Sequence, residues 1–205
     1  MTLHAPRVRA SAETYIGLVE VGVGVIPAGG GTKEMLIRSL SRAPKVPDID
    51  LMPYVREVLE TIGTAKVATS ADEAKKFGYL RASDDVSMNE KFLIYDAKAT
   101  ALAMVQEGYR PPEKQKIIAL GQPVLSALTL GLYLWKEGKQ ITDYEFHIGK
   151  KLAYVLTGGD FTSQQEVDEE YILDLEREAF LSLCGERKTQ ERIQYMLKNN
   201  KALRN

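Results

Sequence analysis

ETYIGLVEVGVGVIPAGGGTKEML, residues 13–36, changes character at its glycines. The first half is rich in β-branched residues and glycine, the pattern of short strands and turns, and carries a single carboxylate, Glu20. The second half passes through Gly29, Gly30 and Gly31 into a helical pattern, with Met35, Leu36 and Leu40 on one face. A buried carboxylate without a partner is costly, and desolvation raises its pKa. Glu20 therefore either faces solvent or is kept for chemistry. PAGGGT lacks the lysine of a phosphate-binding P-loop, so a tight turn into a helix is its plain structural reading.

Working outward, residues 6–27 read as two or three short strands, and no later segment is an obvious partner for them. So few strands are marginal alone, which suggests a chain that starts in the middle of a larger sheet. DIDLMPYVREVLETIGTAKV reads as helix with Pro53 near its start. SADEAKKFG has Ser70 and Glu73 in capping-box register and Gly78 as a stop. NEKFLIYDAKATALAMVQEG is a long helix from about Asn89 to Gly108, and RPPEKQK an exposed connector. A helical hairpin follows, Val124 to Glu137 and then TDYEFHIGKKLAYVLTGG, with a second capping box at Thr142 and Glu145. The acidic run Glu166 to Glu170 reads as a helix start, favourable against the dipole, with Gly185 at the far end. KTQERIQYMLKNN is the last helix.

The 205 residues suit one domain, or one with a small second. Apolar residues at 44% and charged residues at 27% give the balance of a soluble globular protein. A net charge of -1 gives no reason to expect nucleic acid as a partner. One cysteine, Cys184, fits a reducing, cytoplasmic setting and reads as a packed thiol. Two histidines and one cysteine, far apart, have no metal-ligand spacing, and His147 reads as structural or exposed. No signal peptide is expected at the N-terminus. The uncharged run Ile117 to Trp135 is interrupted by Gln122, Pro123, Ser126 and Thr129, so a buried helix is expected rather than membrane insertion.

YIGLVEVGVGVIPAGGGTKEMLIR resembles the second signature block of the crotonase superfamily, with Gly17, Glu20, Gly24, Pro27, Gly30, Gly31 and Thr32 at the patterned positions. ADEAKKFGYL looks like the superfamily's later A-x-E-A-x-x-x-G turn, and EREAFLSLCGERKTQERIQYMLKNNKALRN like its C-terminal pattern. Taken with AKVATSADEA, YDAK and GYRPP, the ordered blocks are similar to the C-terminal part of bifunctional 3-hydroxyacyl-CoA dehydrogenase/enoyl-CoA hydratase proteins of fatty-acid β-oxidation. The resemblance implies a predominantly α member of the α/β class: a partial crotonase-like fold, a few short N-terminal strands followed by about seven or eight helices. Residues 1–110 would be the C-terminal portion of the hydratase domain and residues 111–205 a helical C-terminal region.

It also implies a chemistry. Backbone amides hold the thioester oxygen, and two glutamates handle water and a proton so that water adds across the α,β double bond. Glu20 falls at the second glutamate and is the expected catalytic residue. The water-positioning amide falls on Ala28, where the family usually has glycine. Ala28 and Gly29 are expected to bind substrate, as is Lys201, which matches a lysine near the coenzyme A phosphates. Gly29 to Gly31 would bring the chain close to substrate at a helix N-terminus that favours negative charge. The family's first block, G-G-G-x-E, occurs nowhere in the chain, nor does the glycine fingerprint of a dinucleotide-binding half. The expectation is a C-terminal fragment with no cofactor or metal of its own, inactive alone, acting on an acyl-CoA thioester when joined to its N-terminal half or to another subunit; NAD would belong to the dehydrogenase half. Two rival readings are a non-catalytic helical interaction or oligomerisation module, and a binder of CoA esters that has lost hydration.

Overall fold

Glycine placement, more than strand propensity, sets the course of residues 15–31 in the computed structural model, which describes residues 1–205. Only Ile16–Gly17 is strand; Glu20–Val23 winds into a short 3₁₀ turn. Gly24 closes that turn at φ +92°, a left-handed conformation in which a Cβ would also sit 2.7 Å from Thr189 Oγ1. The short strands and turns expected over residues 6–27 thus give way, around Glu20, to a turn closed by a backbone that only glycine adopts freely. Val25 and Ile26 then run into the core, and Gly30, again left-handed, opens the first helix.

Eight α-helices and six short strands follow one another along the chain, matching the expected α-rich composition. They form two compact units. The first comprises residues 1–17 and 67–114. Here β1 (Arg9–Ser11) pairs parallel with β4 (Asp85–Ser87), and β2 (Ile16–Gly17) pairs antiparallel with β3 (Val67–Ala68). The N-terminal strands do have partners, but these are two- and three-residue segments too short to show as a sequence pattern. α3 (Ala71–Lys76) starts at Ser70, whose hydroxyl accepts from the Glu73 amide. The reciprocal bond of the expected capping box goes elsewhere: the Glu73 carboxylate accepts from the amide and hydroxyl of Thr69. Asp84, almost fully buried, takes the amides of Val8 and Arg81 on its two oxygens and so ties the residue before β1 to the turn before β4.

α4 (Leu93–Gln106) turns its polar side inward. Asp96 accepts from Ser87 Oγ, and Thr100 accepts from Arg9, so the helix meets β1 and β4 through polar groups. Its other side carries Ile94, Tyr95, Leu102 and Val105, each more than half exposed. No residue of α4 is buried.

The second unit comprises residues 18–66 and 115–205. α1 (Gly31–Leu40) packs on α2 (Met52–Gly63), which ends at Gly63 and does not continue to Val67 as its sequence suggested. α5 (Gly121–Glu137) and α6 (Asp143–Thr157) form the expected helical hairpin. Pro123 sits in the first turn of α5, where its missing N–H is not needed, so the helix starts two residues ahead of the proline. The Thr142/Glu145 capping box is complete. β5 (Lys116–Ala119) pairs antiparallel with β6 (Gln165–Asp168). Half of the acidic run read as a helix start is therefore strand. α7 (Glu169–Cys184) begins only after Asp168, whose side chain caps it at the Tyr171 amide. α8 (Arg187–Asn199) closes the unit. Ile26, Leu36, Val55, Ile62, Ile148, Leu152, Leu156, Ile172 and Leu183 form its core, each contributing about 1.5–3 kcal/mol of hydrophobic burial. No helix is long and apolar enough to cross a membrane.

Candidate functional site

Glu20 is the first residue of the 3₁₀ turn, and its carboxyl group is half-buried. One oxygen, Oε2, is shut off from solvent and has no hydrogen-bond partner. Burial pushes its pKa above the usual carboxylate range, opposed only by its own backbone amide. The side chain therefore holds a proton more readily than it would on an open surface.

The turn that carries Glu20 is clamped by buried polar groups of α8 and α6. Thr189 Oγ1 donates to the Gly24 carbonyl at 2.6 Å and accepts in turn from Tyr144 Oη at 2.6 Å. Thr189 is fully buried and Tyr144 nearly so. Arg192, buried against the Tyr144 ring, makes a long contact to the Val21 carbonyl and donates through Nε to Asn205. Asn205 reaches back to Lys188 and Glu191, and Arg204 pairs with Glu145. The chain's last two residues thus hold down the arginine beneath the Glu20 turn.

Pro27 to Gly30 form the second half of the site. Thr32 Oγ1 donates to the Pro27 carbonyl at 2.8 Å, closing the turn. Ala28 is half-buried and keeps its φ outside the left-handed region, so alanine costs nothing there. Gly29 is exposed, and a Cβ on it would meet only open space. The dipeptide Ala28–Gly29 is thus the outward part of an otherwise fixed turn.

The N-terminus of α1 is filled from within the protein. Glu176 on α7, fully buried, accepts from the Gly30 amide at 2.8 Å and from the Lys33 amide on its other oxygen. One carboxylate does what both side chains of a capping box would do, because Gly30 has no side chain to cap with. The negative charge expected at this helix end is therefore Glu176 itself. Burial pushes the Glu176 pKa up to about 7, against the pull of the Lys33 and Gly30 amides and the Lys33 charge. Lys33 is also buried, with Nζ between Glu34 and Glu169. Burial lowers its pKa, but the two carboxylates outweigh that and hold it above the ordinary lysine range.

Of the residues expected from sequence, Glu20, Ala28 and Gly29 lie on one clamped stretch of the second unit. Lys201 is exposed just past α8, while the polar ties of that tail are made by Arg204 and Asn205. Sequence reading missed Glu176, Thr189 and Lys33. Only Glu176 left a trace, as a lone acid between Ile172, Leu175, Ala179 and Leu183 on the buried face of α7. No group of three or more His, Cys, Asp or Glu side chains is placed to hold a metal ion.

No family model matches the chain. It is 47% identical over 203 residues to a protein of Bacillus subtilis (strain 168) named "Probable 3-hydroxyacyl-CoA dehydrogenase", covering 99% of this chain and 25% of that protein. It is 26% identical over 199 residues to a Rickettsia felis protein named as a fatty acid oxidation complex trifunctional enzyme, covering 97% of this chain and 24% of the relative. The chain thus spans about a quarter of the length of these relatives. Among solved structures it is similar to carnitinyl-CoA hydratase from Mycobacterium avium, with a TM-score of 0.53 at 15% identity, over 98% of this chain and 55% of that one. The fold is accordingly a partial crotonase-like fold, in a chain whose sequence relatives are named a 3-hydroxyacyl-CoA dehydrogenase and a fatty acid oxidation complex trifunctional enzyme.

Proposed function

We propose that this chain supplies the C-terminal part of an enoyl-CoA hydratase module within a larger β-oxidation enzyme. The observation that carries the reading is Glu20: a carboxyl oxygen sealed from solvent, left without a partner, on a turn clamped from beneath. A structural role gives no reason to leave that oxygen unpaired, because a buried unsatisfied acceptor costs about 1–3 kcal/mol. In this reading the water oxygen bonds to the β-carbon of a trans-2-enoyl thioester as one of its O–H bonds breaks and that proton passes to a glutamate carboxylate, and the π electrons move toward the thioester oxygen. A proton then reaches the α-carbon. Glu20 holds one of the exchanged protons, and the Ala28–Gly29 segment orients the water. The partner glutamate and the amides for the thioester oxygen come from sequence outside this chain. Lys201, exposed beyond α8, would meet the coenzyme A phosphates.

The outward apolar side of α4 favours a second reading, a helical module that joins such an enzyme together without chemistry of its own. The two separate in one experiment. Crotonyl-CoA hydration is followed by loss of the conjugated-thioester absorbance, for the chain alone and for the chain supplemented with a polypeptide carrying G-G-G-x-E. The hydratase reading expects no turnover alone, turnover on supplementation, and a loss of about 10²-fold or more with Glu20→Gln. Supplemented turnover that survives Glu20→Gln sinks it in favour of the module.

A further inference from the structure

The turn beside Glu20 is fixed at one end by its own sequence and at the other by a distant residue. Thr32 secures Pro27 by one bond that spans five residues. Gly30, at the other end, has no side chain and adopts a left-handed conformation. Its carbonyl accepts from the Glu34 amide within the helix, but nothing local holds its N–H. The group that does is Glu176, which arrives from 146 residues away. Its two oxygens take the amides of Gly30 and Lys33, two of the four donors that have no intrahelical partner at the start of α1. With the Pro27 carbonyl and the Gly30 amide both fastened, the peptide groups of Ala28 and Gly29 run between two fixed points.

We infer that Glu176 is a positioning residue for the Glu20 site, setting the Ala28–Gly29 peptide groups through the Gly30 and Lys33 amides. The inference rests on reading Glu20 as the residue that acts on substrate. It gives α7 a task beyond packing. Glu169, two turns earlier on the same helix, holds the Lys33 ammonium and also accepts from the Gln115 amide. α7 therefore grips both the backbone and the side chain of Lys33. The charged groups facing Glu176 are Lys33 and Glu34 from α1, with Glu169 beside them on α7. Burial, with a smaller push from the Glu34 charge and against the pull of Lys33, brings the Glu176 pKa to about 7, and the amide bonds it accepts are stronger when it is ionised.

The test uses the 205-residue chain itself, labelled with nitrogen-15. The amide signals of Gly30 and Lys33 are followed from pH 4 to 9. They are expected to move together with one midpoint well above that of an ordinary glutamate. Glu176→Gln should abolish that movement and displace the Ala28 and Gly29 amides. Glu20→Gln should leave the titration in place. Glu176→Asp, one methylene short, should keep one amide titrating and release the other. The inference is overturned if Gly30 and Lys33 do not titrate in the wild-type chain, which needs no variant to fold. It is overturned equally if they titrate unchanged in Glu176→Gln, or if Ala28 and Gly29 stay where they are. A failed hydration assay would remove the reading of Glu20 and leave this titration untouched, so the two fail separately.

Discussion

Replacing Thr189 by valine isolates the clamp under the Glu20 turn. The two side chains are nearly the same size, and Thr189 is fully buried, so the change removes a hydroxyl and little else. That hydroxyl donates to the Gly24 carbonyl and accepts from Tyr144. Without it a buried carbonyl and a nearly buried phenol both lose their partner. Each such loss costs about 1–3 kcal/mol, so the pair costs about 2–6 kcal/mol, and about 3 kcal/mol lies in the lower part of that range. A methyl group cannot take the hydroxyl's place at 2.6 Å from the Gly24 oxygen without moving α8. Nor can Gly24 retreat cheaply, because its left-handed backbone is part of the turn. For a chain of this length, about 3 kcal/mol corresponds to a fall in Tm of roughly 6–12 °C. Thr189→Ser keeps the hydroxyl and deletes one methyl, at about 1 kcal/mol. Thermal and urea unfolding of wild type and both variants decide the matter. A valine variant that melts within 2 °C of wild type, or a serine variant as damaged as the valine one, would refute the clamp.

Two further predictions concern stability and exposure. Glu176 has a folded pKa near 7, above the 4.5 of a free glutamate, so its protonated form is the one the fold favours. Its contribution is therefore complete below about pH 4.5 and lost as pH rises through about 7, a swing of about 3 kcal/mol for the 2.5-unit difference. Glu20 is shifted in the same direction, while His147 and Glu145 are shifted downward and act in the opposite sense. The measurement is hence the difference between wild type and Glu176→Gln in urea unfolding at pH 5 and pH 8; equal pH dependence in both would contradict it. On α4, Leu102→Lys and Val105→Lys should each change stability by under about 0.5 kcal/mol, because neither side chain is buried, and should reduce self-association seen by light scattering. A loss of 2 kcal/mol or more from either would show that this side of the helix is packed in solution.

The helices were legible because each is written locally. Thr142 and Glu145 stand three residues apart, as a capping box requires, and both bonds form. Ile148, Leu152 and Leu156 repeat at helical spacing and are all buried. Glu20 could be singled out because a lone carboxylate in an apolar, glycine-rich run is physically expensive wherever it is buried. The strands fared worse. Segments of two to four residues carry too little alternation to be seen, and β3 and β6 looked like continuations of the helices next to them. The Glu20 stretch looked like strand because valine favours extended backbone, yet Gly24 at φ +92° bends it into a 3₁₀ turn.

Sequence alone thus determined the helical content, the Thr142/Glu145 cap, the turn into α1 and the acid worth testing, since all of these follow from residues within one or two turns of each other. Tertiary structure alone decided what holds that acid in place. Thr189 lies 165 residues from the carbonyl it binds, and Glu176 lies 146 and 143 residues from its two amides. It also decided which segments share a core, bringing residues 18–66 together with 115–205 around a common set of buried aliphatic side chains. The physical reason is the same in both cases. A buried polar group must be satisfied by whatever donor or acceptor the packed chain places beside it, and separation along the sequence does not enter that requirement.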